Sequence, residues 1–348
     1  MAAAEAEAER GHAQRRLGRG LLLSVAAGAV LYVAIAAWSG FDKVGARLAE
    51  FSWAAAGAAL GLAAANYGLR FLKWHYYLGR LGLAIPVGRS LAVFLSGFAL
   101  TVTPGKVGEV LKAYLLRETD GVPMARTAPI VIAERVTDLI ACLLLTLLGL
   151  GAFEVGDPDT SRKLTWVWVA GGGSIAALLG VVALRPLGEA AIDLAGRVPG
   201  IGKIAPKLRE FYASTRTLLG PLPTLVATTL SVAAWACECG ALWVVLRGFP
   251  SAVAAAVPLA RATFIYAAMT IAGALSFLPG GLGVQEGGMV ELLVKLSHGL
   301  DEPTAVAATF VTRLCTLWFA VLVGVLALLR MRRVVAIDLG RVAALKRS

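Results

Sequence analysis

Long apolar runs are the feature that most constrains how this 348-residue chain folds. Four of them, 21–38, 52–69, 164–184 and 262–285, each hold 18 or more residues without a charge. About 20 apolar residues in a helix span the hydrocarbon core of a bilayer. Only 16% of the residues are charged, against about 25% in soluble domains. The sequence therefore predicts an all-α, polytopic membrane protein.

Hydropathy divides the chain into a transmembrane domain, 20–330, between a cytoplasmic tail, 1–19, and a basic cytoplasmic tail, 331–348. Arginines before the first run resemble the start of a signal peptide, but the run is longer than an ordinary signal segment. We predict a retained signal anchor, with cleavage as the alternative. Six full spans are predicted, at about 20–38, 52–70, 127–152, 164–185, 222–247 and 303–329.

Two further apolar stretches are broken in the middle. Pro104-Gly105 interrupts 88–117, and Pro279-Gly280-Gly281 interrupts 259–297. Proline removes a backbone donor and glycine permits a reversal, so both stretches are predicted to be re-entrant helical hairpins. The alternative is that each crosses the bilayer as one kinked helix.

The distribution of basic residues favours the hairpins. With both hairpins in place, 24 of the 33 lysines and arginines, including Arg70, Lys73 and Lys112, fall in segments on one side, seven on the other, and Arg135 and Arg313 within spans. The positive-inside rule then places both termini in the cytoplasm and the protein in the inner or plasma membrane. The basic loops are predicted to lie against anionic lipid. A nucleic-acid partner is not expected, because no soluble basic domain exists to bind one.

This topology contains an inverted repeat, with one half over about 20–152 and the other over about 164–330. Each half has two spans, a hairpin and a span, in opposite orientations, as in many transporters. An arginine follows the glutamate of each break by 26 and 27 residues. The matching segments are Pro104-Gly105-x-x-Gly108-Glu109 with Arg135, and Pro279-Gly280-Gly281-x-Gly283-x-x-Glu286 with Arg313.

Ionisable residues at membrane depth are costly and are functional candidates by default. Arg135 and Arg313 offer guanidinium forks to a phosphate, and a helix restarting after each break points its positive dipole end toward the same place. The glutamates are predicted to prevent trapping or to carry a coupling proton. A purely structural role, in which the charges tie helices together, is the alternative. The candidate substrate-binding residues are Lys106, Pro104, Gly105, Gly108, Glu109, Glu134, Arg135, Asp138, Glu238, Pro279, Gly280, Gly281, Gly283, Glu286 and Arg313.

Other patterns are interpreted structurally. Gly57-x-x-x-Gly61 predicts close helix packing, and Leu208, Phe211 and Tyr212 predict an amphipathic helix on the cytoplasmic interface. The four cysteines lie in apolar segments and are interpreted as packing residues. No catalytic group, metal site or cofactor is predicted. A homo-oligomer is compatible with the sequence.

The breaks, the Glu134-Arg135-x-x-Asp138 segment and Arg313 together resemble the lysylphosphatidylglycerol synthase transmembrane family, whose members are also called flippase-like domain proteins. The resemblance covers about 20–330. It implies a flippase for lipids with phosphate-containing or aminoacylated headgroups, in a family with members in envelope glycolipid and hopanoid pathways. Bifunctional members carry an aminoacyl-transferase domain after the membrane part, and this chain is expected to be the stand-alone membrane part.

Two alternative functions are compatible with these features of the sequence. The first is a flippase or transporter that moves a phospholipid or polyprenyl-phosphate-linked lipid between leaflets. The second is a membrane-embedded enzyme, or an accessory subunit of a system that synthesises envelope glycolipids. The scarcity of histidine and the lack of a metal-ligand cluster in the sequence favour the first.

Overall fold

A computed structural model describes residues 40–102, 107–150, 205–297 and 299–331, together with scattered helical residues between 162 and 180. The predicted first span, both tails and most of the span predicted at 164–185 lie outside these residues. Within the described ranges the regular elements are helices, as the sequence predicts. They are α1 (Phe41–Ala49), α2 (Trp53–Arg80), α3 (Val87–Ser96), α4 (Val107–Asp120), α5 (Met124–Leu150), α6 (Ala205–Leu218), α7 (Pro221–Arg247), α8 (Ala252–Ala256), α9 (Leu259–Leu275), α10 (Val284–Leu296) and α11 (Glu302–Met331).

Length and composition identify fewer crossing helices than the six that the sequence predicts. Among the described residues α7 and α11 are long and apolar enough, and α1 with α2, bent by 86° at the short break between them, makes a third if the pair is one span. Helix α5 is 27 residues long, but its central ionisable residues, Glu134, Arg135 and Asp138, interrupt its apolar sequence. The structure therefore shows an all-helical membrane protein, and the count of six spans stays a prediction.

The second interrupted stretch doubles back on itself. Helix α9 ends at Leu275, a 3₁₀ turn follows at Pro279–Gly281, and α10 begins at Val284. A side chain placed on Gly288 would strike Met269, and one placed on Gly273 would contact Gln285. A residue near the end of α9 therefore meets one near the start of α10, and an earlier residue of α9 meets a later one of α10. The two helices run antiparallel and form a hairpin.

The first interrupted stretch has the same arrangement. Arg89 in α3 forms a salt bridge of 2.6 Å with Asp120 at the end of α4. The Lys112 ammonium nitrogen lies 5.5 Å from the centre of the Phe94 ring. Both contacts join a residue of α3 to a residue of α4 at similar distances along the chain from the break, so the two helices run antiparallel. Residues 103–106, between them, lie outside the described residues.

The described segment that leads to the first break approaches the turn of the second hairpin. Val102, the last described residue before the first break, packs in an apolar cluster with Leu317 and Val321 of α11. A Cβ placed on Gly280, in the Pro279–Gly281 turn, would lie 3.6 Å from Val102 Cγ1 and 3.5 Å from Leu317 Cδ2. Val102 and the Pro279–Gly281 turn are thus neighbours in the fold, beside α11.

Helix α11 also packs directly on the first hairpin, through Gly324. A Cβ placed there would lie 2.1 Å from the Ala99 backbone nitrogen and 2.5 Å from the Phe98 carbonyl carbon. By contrast, no described atom lies within 4 Å of a Cβ placed on Gly57 or Gly61. The predicted first span lies outside the described residues, so close packing at the Gly57-x-x-x-Gly61 motif stays a prediction.

Gly324→Ala should destabilise the fold, because backbone atoms cannot move aside as a flexible side chain can. Overpacking of this kind costs about 1–3 kcal/mol. The matched control is Gly61→Ala, which adds the same methyl group where no described atom lies within 4 Å. It also gains helix propensity. Equilibrium unfolding in mixed detergent micelles compares the two. Equal stability of Gly324→Ala and the wild type would contradict the packing described for α11.

Candidate functional site

A cavity of about 200 Å³ lies between the helices, beside the Pro279–Gly281 turn and the segment 97–101 that follows α3. This is more than ten times the roughly 10–15 Å³ that one water needs. Its walls come from α2, α3, α4, α5, α7, α9, α10, α11 and the Pro279–Gly281 turn. The polar and ionisable residues in the walls include Tyr67, Arg70, Lys112, Glu134, Arg135, Asp138, Glu238, Tyr266, Thr270, Gln285, Arg313 and Thr316.

Helix α5 contributes two buried carboxylates one turn apart, and each binds a lysine from another helix. Glu134 accepts a hydrogen bond of 2.5 Å from the Lys112 ammonium group of α4. The Lys112 nitrogen also lies 4.5 Å from the centre of the Trp74 ring, where a cation–π interaction helps to compensate for lost water. Lys112 was counted among the basic residues of the cytoplasmic segments, but it is buried within the bundle because α4 packs against α5.

Asp138 has two basic partners, whereas Lys112 is the basic partner described for Glu134. Its Oδ1 accepts hydrogen bonds from Lys73 Nζ at 2.6 Å and from Ser231 Oγ at 2.9 Å. Arg70 Nη2 lies 3.4 Å from Oδ2, and the Arg70 guanidinium carbon lies 5.6 Å from the centre of the Trp235 ring. The Lys73 residue is only 1% exposed. Two basic residues of α2 therefore share one carboxylate.

These two basic residues were also expected in a cytoplasmic loop, after a span ending at residue 70. That expectation is wrong, because α2 continues without a break to Arg80. No proline interrupts this helix, and Trp74 and Tyr77 continue its buried face. The absence of a helix-breaking residue before Pro86 is the sequence signal that could have placed Arg70 and Lys73 within the bundle.

Arg135 lies half-buried in the cavity wall, on the same helix as Glu134 and Asp138. Its expected partner was Glu109, which belongs to α4 together with Gly108, but the side chains of these two residues lie outside the described part. Pro104, Gly105 and Lys106 lie outside it as well. The predicted contact between Arg135 and Glu109 therefore stays a prediction.

Arg313 forms the expected pair with Glu286. Its Nε donates to Glu286 Oε1 at 2.6 Å, and its Nη2 donates to the Gly280 carbonyl oxygen at 2.8 Å. The second oxygen of Glu286 accepts from the Gly283 backbone N–H at 2.7 Å. Gly280 and Gly283 have φ angles of 62° and 88°, which favour glycine.

These bonds correct one expectation about the second break. The N-terminus of α10 was predicted to offer unpaired N–H groups to an anion, but Glu286 already lies there and binds one of them. A carboxylate at this position also offsets the positive end of the helix dipole. Arg313, Glu286 and the turn therefore form one interlocked unit, whose contacts fasten the Pro279–Gly281 turn to α11.

Helix α11 changes its pitch directly after Arg313. A π-helical turn covers Leu314–Trp318, and the Tyr67 hydroxyl donates to the Thr316 carbonyl oxygen at 2.7 Å. Such turns leave the regular hydrogen-bonding pattern and are frequent at functional sites. Here the turn places Thr316 and Leu317 in the cavity wall.

Glu238 of α7 stands apart from the other acidic residues. Its Oε2 accepts a hydrogen bond of 2.6 Å from the Tyr266 hydroxyl of α9, and the residue is only 8% exposed. In the described part of the chain, no group of three or more His, Cys, Asp or Glu residues is placed to hold a metal ion. The site is therefore a set of buried charges and hydroxyl groups around a cavity.

Comparison with known proteins agrees with the resemblance seen in the sequence. A UPF0104 membrane protein of Methanocaldococcus jannaschii is 24% identical over 280 residues, covering 75% of this chain and 80% of that protein. A UPF0104 membrane protein of Methanothermobacter thermautotrophicus is 26% identical over 285 residues, covering 74% and 79% respectively. The family described as Lysylphosphatidylglycerol synthase TM region matches residues 21–324. That range includes every described residue of the cavity wall, and the chain belongs to this family.

Proposed function

We propose that this protein is a lipid flippase, which passes the anionic headgroup of a membrane lipid between leaflets while the tails stay in hydrocarbon. The observation that carries the proposal is the charge around the cavity. Among the described residues, the cavity wall and its ion-pair partners contain five basic and four acidic side chains: Arg70, Lys73, Lys112, Arg135 and Arg313, and Glu134, Asp138, Glu238 and Glu286. With all of them ionised these nine side chains carry one net positive charge. A buried excess charge is costly, so a bound anion would stabilise it.

The excess positive charge is concentrated near Asp138. Lys112 and Arg313 each have a carboxylate within 2.6 Å, whereas Lys73 and Arg70 share Asp138. Arg135 adds a further guanidinium group one turn before Asp138 on α5. We place the phosphate of the headgroup between Arg70 and Arg135, where planar guanidinium groups suit its oxygens. Arg313 then holds the second turn instead of serving as a main ligand.

The proposed path uses both hairpins. We propose that they are re-entrant, that six full spans surround them, and that the two halves form an inverted repeat. The meeting of Val102 with the Gly280 turn supports this, because opposed hairpins in an inverted repeat would touch at their tips. Alternating access follows if one half rocks against the other around the cavity.

The proposed orientation keeps both termini in the cytoplasm of a cell with an inner or plasma membrane. Arg70, Lys73 and Lys112 lie within the bundle, so the predicted cytoplasmic segments carry three fewer than the 24 basic residues first assigned to them, still against seven outside. The positive-inside rule gives the same orientation. Labelling of a cysteine introduced into loop 185–220 tests it, and reaction only from outside would reverse it.

The test of the proposed function is transport by the purified protein in liposomes. Labelled phosphatidylglycerol and a labelled polyprenyl phosphate should each move between leaflets faster than in protein-free liposomes, and faster than labelled phosphatidylcholine, which has no net charge. Glu291→Gln, which changes an exposed carboxylate of α10, should transport as the wild type does. If no labelled lipid moves faster than in protein-free liposomes, the flippase proposal fails and an accessory role in lipid synthesis takes its place.

A further inference from the structure

Glu238 differs from the other three carboxylates of the site in its partner. Glu134, Asp138 and Glu286 each form a salt bridge with a lysine or arginine, at 2.5–2.6 Å. In the described part of the chain, the partner of the Glu238 carboxylate is a neutral hydroxyl group, that of Tyr266. A buried carboxylate held by a neutral donor exchanges a proton more readily than one that is locked against a cation, because no ion pair must be broken.

The surroundings of Glu238 include both cations and further titratable groups. On the neighbouring elements these are Tyr67 and Arg70 of α2, Arg135, Asp138 and Cys142 of α5, Tyr266 of α9, and Arg313 and Cys315 of α11; on α7 itself they are Cys237 and Cys239. The hydroxyl and thiol groups stay neutral near neutral pH. Asp138 is held ionised by Lys73 and Arg70, so Glu238 is the carboxylate of this set whose charge is free to change.

A change in the charge of Glu238 changes the charge of the whole site. When Glu238 is ionised, the nine described charges sum to one net positive charge, and when it is protonated they sum to two. Two net positive charges attract an anion more strongly than one does. By linkage, an anion that prefers the protonated site must also raise the affinity of that site for the proton, by the same factor.

We propose that Glu238 is the proton-binding residue of this protein, and that a proton and an anionic lipid headgroup occupy the cavity together. This inference rests on the proposed flippase function, and it identifies the proton as the ion whose movement is coupled to lipid transport. The proton comes from water on the loading side, adds to the Glu238 carboxylate, and returns to water on the unloading side. The Tyr266 hydroxyl donates to a carboxyl oxygen throughout. A proton and a headgroup with one negative charge cross as a neutral pair, which avoids moving net charge through the low-dielectric centre of the membrane.

The experiment is binding of phosphatidylglycerol to the purified full-length protein in phosphatidylcholine nanodiscs, between pH 5.5 and pH 8.5. The phosphodiester of phosphatidylglycerol stays ionised over this range, so any pH dependence belongs to the protein. Wild-type affinity should rise at least tenfold as the pH falls. Calorimetry in buffers of different ionisation enthalpy should count up to one proton taken up per lipid bound.

Variants assign the effect to Glu238. Glu238→Gln mimics the protonated carboxyl and should bind at all pH values with the affinity that the wild type has at low pH, without proton uptake. Glu238→Asp keeps a titratable group and should keep the pH dependence, and Tyr266→Phe should move the midpoint of the profile. Glu291→Gln, which changes an exposed carboxylate outside the cavity wall, should behave as the wild type. If Glu238→Gln does not fold, proton counting on the wild type still tests the proton uptake, and the shifted midpoint of Tyr266→Phe assigns it to Glu238.

Two results would overturn the inference while leaving the flippase proposal intact. One is lipid binding that does not change with pH and takes up no proton, and the other is an unchanged pH dependence in Glu238→Gln. A different result, in which no anionic lipid binds at any pH, counts against the proposed function itself. The two failures are thereby distinguishable.

Discussion

Arg135→Ala should abolish movement of labelled phosphatidylglycerol in liposomes while the variant still folds and inserts. Hydrogen bonds to charged groups contribute about 1.5–3 kcal/mol, so the loss of a bidentate phosphate contact should weaken headgroup binding roughly 10- to 150-fold. Arg135→Lys keeps the charge but loses the planar fork, and should retain a small part of the activity. The initial transport rate, at equal protein per liposome, measures both effects.

The matched control is Arg216→Ala, which removes an exposed arginine from the last turn of α6. It changes the net charge of the protein as much as Arg135→Ala does, but it lies outside the cavity wall. Its transport rate should equal that of the wild type. Wild-type transport by Arg135→Ala, with Arg216→Ala as fast, would mean that the headgroup does not bind at α5.

Lys112→Met should destabilise the fold by about 3–5 kcal/mol, because it leaves Glu134 charged, buried and without its cation. The double variant Lys112→Met/Glu134→Met should recover most of this loss, since apolar side chains of similar size often replace a buried ion pair without cost. Equilibrium unfolding in mixed detergent micelles gives the free energies. Tryptophan fluorescence, to which Trp74 beside Lys112 contributes, follows the same transition.

Lys295→Met is the control for this comparison. Lys295 also pairs with a glutamate, at 2.5 Å, but both side chains are more than half exposed, so water replaces the lost partner. This variant should unfold as the wild type does. If Lys112→Met is as stable as Lys295→Met, or if the double variant is no better than the single one, the Lys112–Glu134 pair does not act as a buried ion pair.

Local sequence properties predicted much of the fold. The apolar runs predicted a helical membrane protein, and the Pro279-Gly280-Gly281 break predicted a turn, which the structure places between α9 and α10. The inverted motif also drew attention to Glu286 and Arg313, whose side chains lie 2.6 Å apart. These predictions succeeded because helix formation, helix breaking and membrane insertion depend on residues that are close along the chain.

The charge assignments at the ends of the predicted spans were less accurate. Arg70 and Lys73 were assigned to a loop because a hydropathy window stops at the first charged residue, whereas the helix continues for as long as no residue breaks it. Lys112 was counted with the cytoplasmic basic residues although it lies within the broken stretch 88–117. A lysine adjacent to an apolar run has the same local sequence whether it faces water or a buried carboxylate.

The sequence by itself determined that this chain is helical, belongs in a bilayer, and turns at the Pro279-Gly280-Gly281 break. Only the tertiary structure decided the function of each charge. Lys73 and Asp138 are 65 residues apart, Lys112 and Glu134 are 22 apart, and Glu238 and Tyr266 are 28 apart. Electrostatic energy depends on distance in space and on the surrounding dielectric. Helix packing therefore determines which carboxylates are locked by cations and leaves Glu238 with a hydroxyl group.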